Sequence, residues 1–150
     1  MFIQPVTGYR KVVTPAFRSQ AENPLLKQSD ITRLDSKLVI GRAPGACRYE
    51  NHQYKINSNI LDKDLQFLKS NYNVDTLIDL RAGHIEGNEI TKEANAAKKA
   101  GMTYLNLQMD GAIAPKPDEL KSFFNTIDKA KGNVYLHCHM GHDRTGVMSA

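Results

Sequence analysis

The chain has only two cysteines, Cys47 and Cys138, in flanks that share nothing. A disulfide framework of the small secreted kind is excluded, and a reducing, cytoplasmic compartment is the expectation. No charged segment followed by an apolar stretch opens the sequence, which starts MFIQPVTGYRKVV. Nor does any apolar run approach the roughly 18 residues that span a bilayer. Neither a secretion signal nor a membrane span is expected, and membrane contact is limited to transient docking at a surface. No charge of one sign dominates: 20 Lys+Arg against 16 Asp+Glu leaves a net +4, which suits an anionic substrate and is too diffuse for nucleic acid. Long polar repeats are also missing. What is present, 150 residues with 41% hydrophobic content, can bury one core.

Residues 1–33 carry Pro5, Pro15 and Pro24 and no sustained periodicity, which reads as an irregular arm ahead of a domain spanning 34–150. From there the period alternates. Leu38–Gly41 is a short apolar strand ended by Gly41 and Pro44. Residues 58–71 place Leu61, Leu65 and Leu68 at helical spacing, with Ser58 or Asn59 as cap. Residues 74–80 are apolar with little alternation, as in a parallel strand covered on both faces. Ile90, Ala94 and Ala97 mark one face of the next helix, and Gly101 stands at its left-handed C-terminal position. Residues 103–107 form a strand, and Pro117 opens a helix whose core face is Leu120, Phe123, Phe124 and Ile127, closed by Gly132. Residues 134–137 form the last strand, and a helix begins near Arg144. The β-α-β-α-β-α order implies an α/β fold: a central, mostly parallel sheet flanked by helices, joined by right-handed crossovers.

The chemistry concentrates in His137-Cys138-His139-Met140-Gly141-His142-Asp143-Arg144-Thr145-Gly146, between a strand and a helix. In that setting the loop amides turn inward and the helix start adds its dipole, which makes an anion cradle. Gly141 allows a tight loop, and Arg144 supplies a planar fork for two phosphate oxygens. The same field lowers the Cys138 thiol toward a thiolate nucleophile, with the Thr145 hydroxyl able to donate to its sulfur. A metal site built from His137, Cys138, His139 and His142 is the competing reading. Alternation on an extended segment turns His137 and His139 opposite ways, and zinc needs neither Gly141 nor the Arg-Thr-Gly tail. No metal or other cofactor is expected. Cys47 reads as a small apolar or loop residue, and Arg48-Tyr49 after it is a weak phosphate-recognition signal.

This segment resembles the HC-x5-R-[ST]-G signature of the cysteine-dependent protein tyrosine phosphatase superfamily. The position of Cys138 and the modest length before it fit the dual-specificity-like branch. The likeness covers about residues 34–150, including the Gly41-Arg42 turn and the strand ending Ile78-Asp79-Leu80-Arg81. Asp110-Gly-Ala-Ile-Ala-Pro-Lys-Pro before a helix resembles phytase-like inositol phosphatases. Gly141-His142-Asp143-Arg144 resembles the Gly-Lys-Asp-Arg loop of phosphoinositide-active members, with His in place of Lys.

The resemblance implies a phosphomonoesterase acting through a cysteinyl-phosphate on a phosphoinositide or inositol polyphosphate. A phosphotyrosine or dual-specificity protein phosphatase is the alternative, and a phosphate-binding pseudophosphatase or a redox-sensing thiol domain are more remote ones. It implies an aspartate on a loop as general acid. Asp110, 28 residues before Cys138 (138 − 110), takes that role, with Asp118 as its rival. Substrate contacts fall to His139, Met140, Gly141, His142, Asp143 and Thr145, with Lys116 and Arg81 on the rim, and Arg144, His139, His142 and Lys116 converge as the positive charge of one pocket. Asp143 has a second reading, as a tie to Arg144 or a neighbouring loop. Only six residues follow Arg144 (150 − 144), so the expectation is a domain whose C-terminal helices continue beyond Ala150.

Overall fold

The computed structural model describes residues 25–51, 53–109 and 113–150. Five strands form the main sheet: β1 (Ile31–Arg33), β2 (Leu38–Gly41), β5 (Val74–Asp79), β6 (Thr103–Asn106) and β7 (Asn133–His137), in the order β1-β2-β7-β5-β6. β2, β7, β5 and β6 run parallel, and β1 is an antiparallel edge. The helices are α1 (Ser58–Tyr72), α2 (Gly83–Lys99), α3 (Pro117–Lys129) and α4 (Asp143–Ser149). This is the α/β sandwich implied by the alternating periods.

Alternation along the strands loads both faces. Val39, Leu77 and Tyr135 pack with Leu61, Leu65 and Leu68 of α1 and Ala97 of α2 on one side. Leu38, Ile78, Leu136 and Cys138 pack with Phe123 of α3 and Met148 of α4 on the other. Both sides of β5 and β7 are therefore apolar, as a doubly covered parallel strand requires. The C-terminal ends of β2, β7 and β5 meet at one edge of the sheet, where open α/β sheets carry their sites.

Several details differ from the sequence reading. Asn57, not Ser58 or Asn59, caps α1: its Oδ1 accepts from the N–H of Asn59 at 3.0 Å and of Ile60 at 3.2 Å. Residues 31–33, which the sequence assigns to the arm, form the edge strand β1, because their pairing partner Val39–Gly41 lies only a few residues on. Residues 1–24 of that arm lie outside the described residues. A two-stranded hairpin, β3 (Arg48–Glu50) and β4 (Gln53–Lys55), occupies a stretch with no clear periodicity. On α3 only Phe123 is buried and Ile127 is half-buried; Leu120 is 37% and Phe124 58% exposed, so the core face is one residue wide rather than a full stripe. α3 also stops at Lys129, ahead of Gly132, while Gly101 has the expected left-handed backbone at φ 69°.

Candidate active site

β7 ends at His137, and the chain then loops through Cys138–His142 into α4. Three fixtures hold this loop. The Ala43 N–H donates to the His139 carbonyl at 3.0 Å, which ties the loop to the turn after β2. Gly141 has φ 78° and lies so close to that turn that a Cβ would sit 2.5 Å from the Gly41 oxygen and 2.9 Å from the Arg42 nitrogen. Only glycine tolerates both the left-handed backbone and that approach. The Leu80 N–H donates to the His137 carbonyl at 2.9 Å, which registers the loop against the end of β5.

Cys138 is 3% exposed and rests on an apolar floor of Leu80, Leu107, Met109 and Met148. The Gly141 N–H reaches back to its Sγ at 3.3 Å. Burial alone pushes the thiol up. Donation from the Thr145 hydroxyl and N–H and the Gly141 N–H, with the Arg144 charge, outweighs burial and sets the thiol below its ordinary value. Thr145 is fully buried and its hydroxyl has no other hydrogen-bond partner among the described residues, which leaves it available to favour the Cys138 thiolate. Half-buried Arg144 donates from Nη1 to the Leu80 carbonyl at 3.4 Å, which ties its guanidinium to the end of β5. A thiol held below its ordinary value, the Gly141 N–H turned toward it and the Arg144 guanidinium on the same loop can take an anion against a nucleophile.

The other sequence-selected residues divide. Met140, His142 and Asp143 are exposed on the loop and the first turn of α4. Among the described residues no ion pair joins Asp143 to Arg144, so the tie suggested by their adjacency is not formed. Lys116 is exposed before α3, its N–H donating to Glu119 Oε2 at 2.7 Å, and lines a shallow cleft with Gln108, Met109, Ile113, Ala114 and Glu119 rather than with the loop. Asp118 is exposed in the first turn of α3. Asp110 lies outside the described residues.

Two expectations need correction. Arg81 is not on the rim: it is completely buried, with Nε and Nη2 forked onto Asp79 and Nη2 also on Glu93. His139 does not add positive charge. Burial, then the charges of Arg81, Arg144 and His137, push its pKa down to about 4, so it is neutral at pH 7.

Sequence reasoning missed the group beneath the loop. Asp79, Glu93 and His137, all buried, bring ligand-type atoms within 4.8 Å of one another, a spacing that suits a cation. The cation there is the Arg81 guanidinium, bonded to both carboxylates, so the donor set is already an ion network and does not fit a metal. A charged Glu93 in line with Ile90 and Ala97 on the apolar face of α2 was the sequence signal for it.

Comparison with solved structures places this architecture among phosphatases. A phosphatase from Shewanella putrefaciens is 19% identical over 80% of this chain and 67% of its own, with a TM-score of 0.54. A variant form of Tk-PTP is 17% identical over 80% of this chain and 67% of its own, with a TM-score of 0.57. A phosphatase from Neisseria meningitidis is 19% identical over 77% of this chain and 70% of its own, with a TM-score of 0.51. These likenesses carry the fold. No curated protein matches by sequence. The family model described as "Tc-R-P: Polymorphic toxin system, DSP-PTPase phosphatase" matches residues 52–150, two thirds of the chain and the whole of the Cys138–Arg144 loop. The chain therefore belongs to this DSP-PTPase family, and it is a phosphatase of the dual-specificity and tyrosine-phosphatase kind.

Proposed function

We propose that the protein hydrolyses phosphomonoesters with Cys138 as nucleophile, Arg144 as transition-state clamp and Asp110 as general acid. The observation that carries this reading is the lowered Cys138 thiol inside a loop pinned by Gly141 and flanked by Arg144. In the first step the Cys138 thiolate forms the S–P bond while the P–O bond breaks and Asp110 gives its proton to the leaving oxygen. Water then attacks phosphorus, its proton passes to Asp110, and the thiolate and inorganic phosphate are released. Arg144 and the loop amides hold the equatorial oxygens in both steps. No step calls for a metal. A reduced Cys138 is required throughout, which favours a reducing compartment.

For the substrate we infer a phosphoinositide or inositol polyphosphate, with exposed His142 and Asp143 at the loop and Lys116 ahead of α3 as contacts to further phosphates. A phosphotyrosine or dual-specificity protein substrate is the second reading. One observation favours it: buried Arg81 and neutral His139 leave fewer cations at the loop than the sequence suggests, while Met140 offers an apolar side chain 60% exposed. The family description adds a setting, a polymorphic toxin system, in which the substrate would be a phosphorylated molecule of a target cell.

Phosphate release measured across soluble inositol phosphates, phosphoinositide vesicles and phosphopeptides separates the readings. Inositol substrates should lead; a leading phosphopeptide moves the assignment to the second reading. Cys138→Ser should bind phosphate and lose turnover by at least about 10³-fold, and appreciable residual turnover rules out the cysteinyl-phosphate. Asp110→Asn should slow poor leaving groups more than activated aryl phosphates, and equal slowing turns attention to Asp118.

A further inference from the structure

The described residues include one group of titratable side chains that the proposed reaction does not use, the ion network under the phosphate loop. Its two acids and two bases come from separate parts of the chain: Asp79 and Arg81 from the end of β5, Glu93 from α2 and His137 from the end of β7. All four are completely buried. Burying four ionisable groups is unfavourable unless each charge is paired and each lone pair or proton used, so their arrangement calls for a role.

His137 is the link to the site. Its Nδ1 lies 2.9 Å from the Cys138 carbonyl oxygen, and its Nε2 lies 2.7 Å from Glu93 Oε1. A backbone carbonyl has no proton to give. Glu93 receives the Arg81 guanidinium at Oε2, and that charge beside it favours the carboxylate form, which has none either. Both ring nitrogens must then donate, and the ring is an imidazolium. The charges agree: Asp79 and Glu93 against Arg81 and His137 sum to zero only with His137 protonated. Burial pulls the His137 pKa down, but the charges of Glu93 and Asp79 and the Glu93 hydrogen bond raise it overall above its ordinary value. The groups facing His137 are Glu93 from α2, Asp79 and Arg81 from β5 and the residues after it, the Tyr135 ring at 5.7 Å within β7, and His139 of the loop, which is neutral. Tyr104 of β6 donates its hydroxyl to Asp79, keeping that carboxylate in place on the side away from His137.

We propose that Glu93 is a positioning residue for catalysis, which holds His137 as an imidazolium and through it fixes the peptide that begins the phosphate loop. The consequence follows from peptide geometry. In a planar trans peptide the N–H points opposite to the C=O. With the Cys138 carbonyl drawn down onto the His137 ring, the His139 N–H turns up, into the cradle. A neighbouring positive charge also favours the Cys138 thiolate. Arg81 and Asp79 act one step further back, Arg81 by holding Glu93 ionised and Asp79 by holding Arg81. This assignment rests on Cys138 being the reacting thiol, but it is tested on quantities that do not require turnover.

The unmodified protein gives the first test. Nitrogen chemical shifts of its histidine rings, followed from pH 6 to 9, should show His137 protonated at both nitrogens at pH 7 and still so above the range where an exposed histidine titrates. A His137 ring with one unprotonated nitrogen at pH 7 overturns the proposal. The second test is Glu93→Gln, which keeps the shape and removes the charge. The pH midpoint for iodoacetamide alkylation of Cys138, resolved from Cys47 by peptide mass spectrometry, should rise by about one unit, a roughly tenfold smaller thiolate fraction below it. The acid limb of kcat/KM should move with it, while well above the midpoint the two proteins converge. A merely structural Glu93 would lower the melting temperature and leave that midpoint unchanged, which is the refuting result. If Glu93→Gln does not fold, the nitrogen shifts of the unmodified protein decide. If Cys138→Ser keeps turnover, the cysteinyl-phosphate reading fails, while the alkylation midpoint still reports whether Glu93 governs the thiol.

Discussion

Gly141→Ala is a small change with a calculable effect. The added methyl would lie 2.5 Å from the Gly41 oxygen, 2.6 Å from the Gly41 carbonyl carbon and 2.9 Å from the Arg42 nitrogen, all of them backbone. Real Cβ contacts start at about 3.0 Å and become comfortable near 3.4 Å, so the loop and the β2 turn must separate by 0.5 to 0.9 Å. The turn is the less able to give: the Tyr135 hydroxyl, from fully buried Tyr135, donates to the Arg42 carbonyl at 2.7 Å, and Gly41 is paired with His137 in the sheet. The phosphate loop therefore moves. A catalytic constellation tolerates about 0.5 Å, and a displacement near 1 Å lowers rate by about 10²-fold. The left-handed backbone adds about 1 kcal/mol of strain for alanine. We expect kcat/KM on an aryl phosphate to fall by about 10- to 100-fold, about 1.4–2.7 kcal/mol in barrier, with a loss of about 1–3 kcal/mol in urea-unfolding stability. Gly146→Ala is the control. Gly146 lies inside α4, and among the described residues nothing outside its own helix turn comes within 4 Å of the added methyl, so alanine there should add about 0.5–1 kcal/mol of stability and leave turnover alone. A Gly141→Ala protein within twofold of the native kcat/KM refutes the packing argument.

What could be read from the sequence divides by how far apart the parts lie along the chain. Cys138, Gly141, Arg144 and Thr145 occupy eight consecutive positions, so their types and spacing already describe a loop that folds on itself, and the structure adds only its anchors. The strands were legible because β2, β5 and β7 are apolar on both faces, which a parallel sheet imposes on local sequence. Arg81 was misread because its partners are set by topology. Asp79 precedes it by two residues at a strand end, but Glu93 arrives from α2 and His137 from β7, and nothing local announces that three elements converge. Glu93 itself carried the clue, a carboxylate at helical spacing between Ile90 and Ala97. A buried acid implies a buried base, and Arg81 was the residue to pair with it. On α3 the opposite error arose. Leu120, Phe123, Phe124 and Ile127 follow the i, i+3, i+4, i+7 spacing of an apolar stripe, but the core covers only its Phe123 and Ile127 side and leaves Leu120 and Phe124 exposed. The capping error at α1 has a similar origin, since Asn57, Ser58 and Asn59 are all competent caps and only the chain direction into the helix chooses among them.

Two further predictions follow from single buried carboxyl and thiol groups. Asp64 of α1 is fully buried and accepts from the Leu26 N–H at Oδ1 and the Gly45 N–H at Oδ2, each at 2.7 Å, clamping the segment before β1 and the turn after β2 to one helix. An amide can accept only one of these, so Asp64→Asn should lose about 1–3 kcal/mol in a urea titration, and a loss under about 0.5 kcal/mol would show that the clamp carries little. The second concerns the nucleophile. Burial raises the Cys138 thiol, hydrogen bonds from Thr145 and Gly141 with the Arg144 charge lower it by more, and the net displacement is downward from 9.0. A group whose folded pKa is depressed stabilises the fold fully above its unfolded value and loses that contribution as pH falls through the folded one. The difference in unfolding free energy between the native protein and Cys138→Ser should therefore grow as pH rises from the lowered Cys138 pKa toward 9.0, and the acid limb of kcat/KM should rise over the low-pH end of the same interval. Serine does not ionise in this range and the other groups are common to both proteins, so the slope belongs to Cys138 alone. A flat difference, or one that shrinks with rising pH, would mean that the loop does not favour the thiolate, and the nucleophile would have to be activated by the substrate instead.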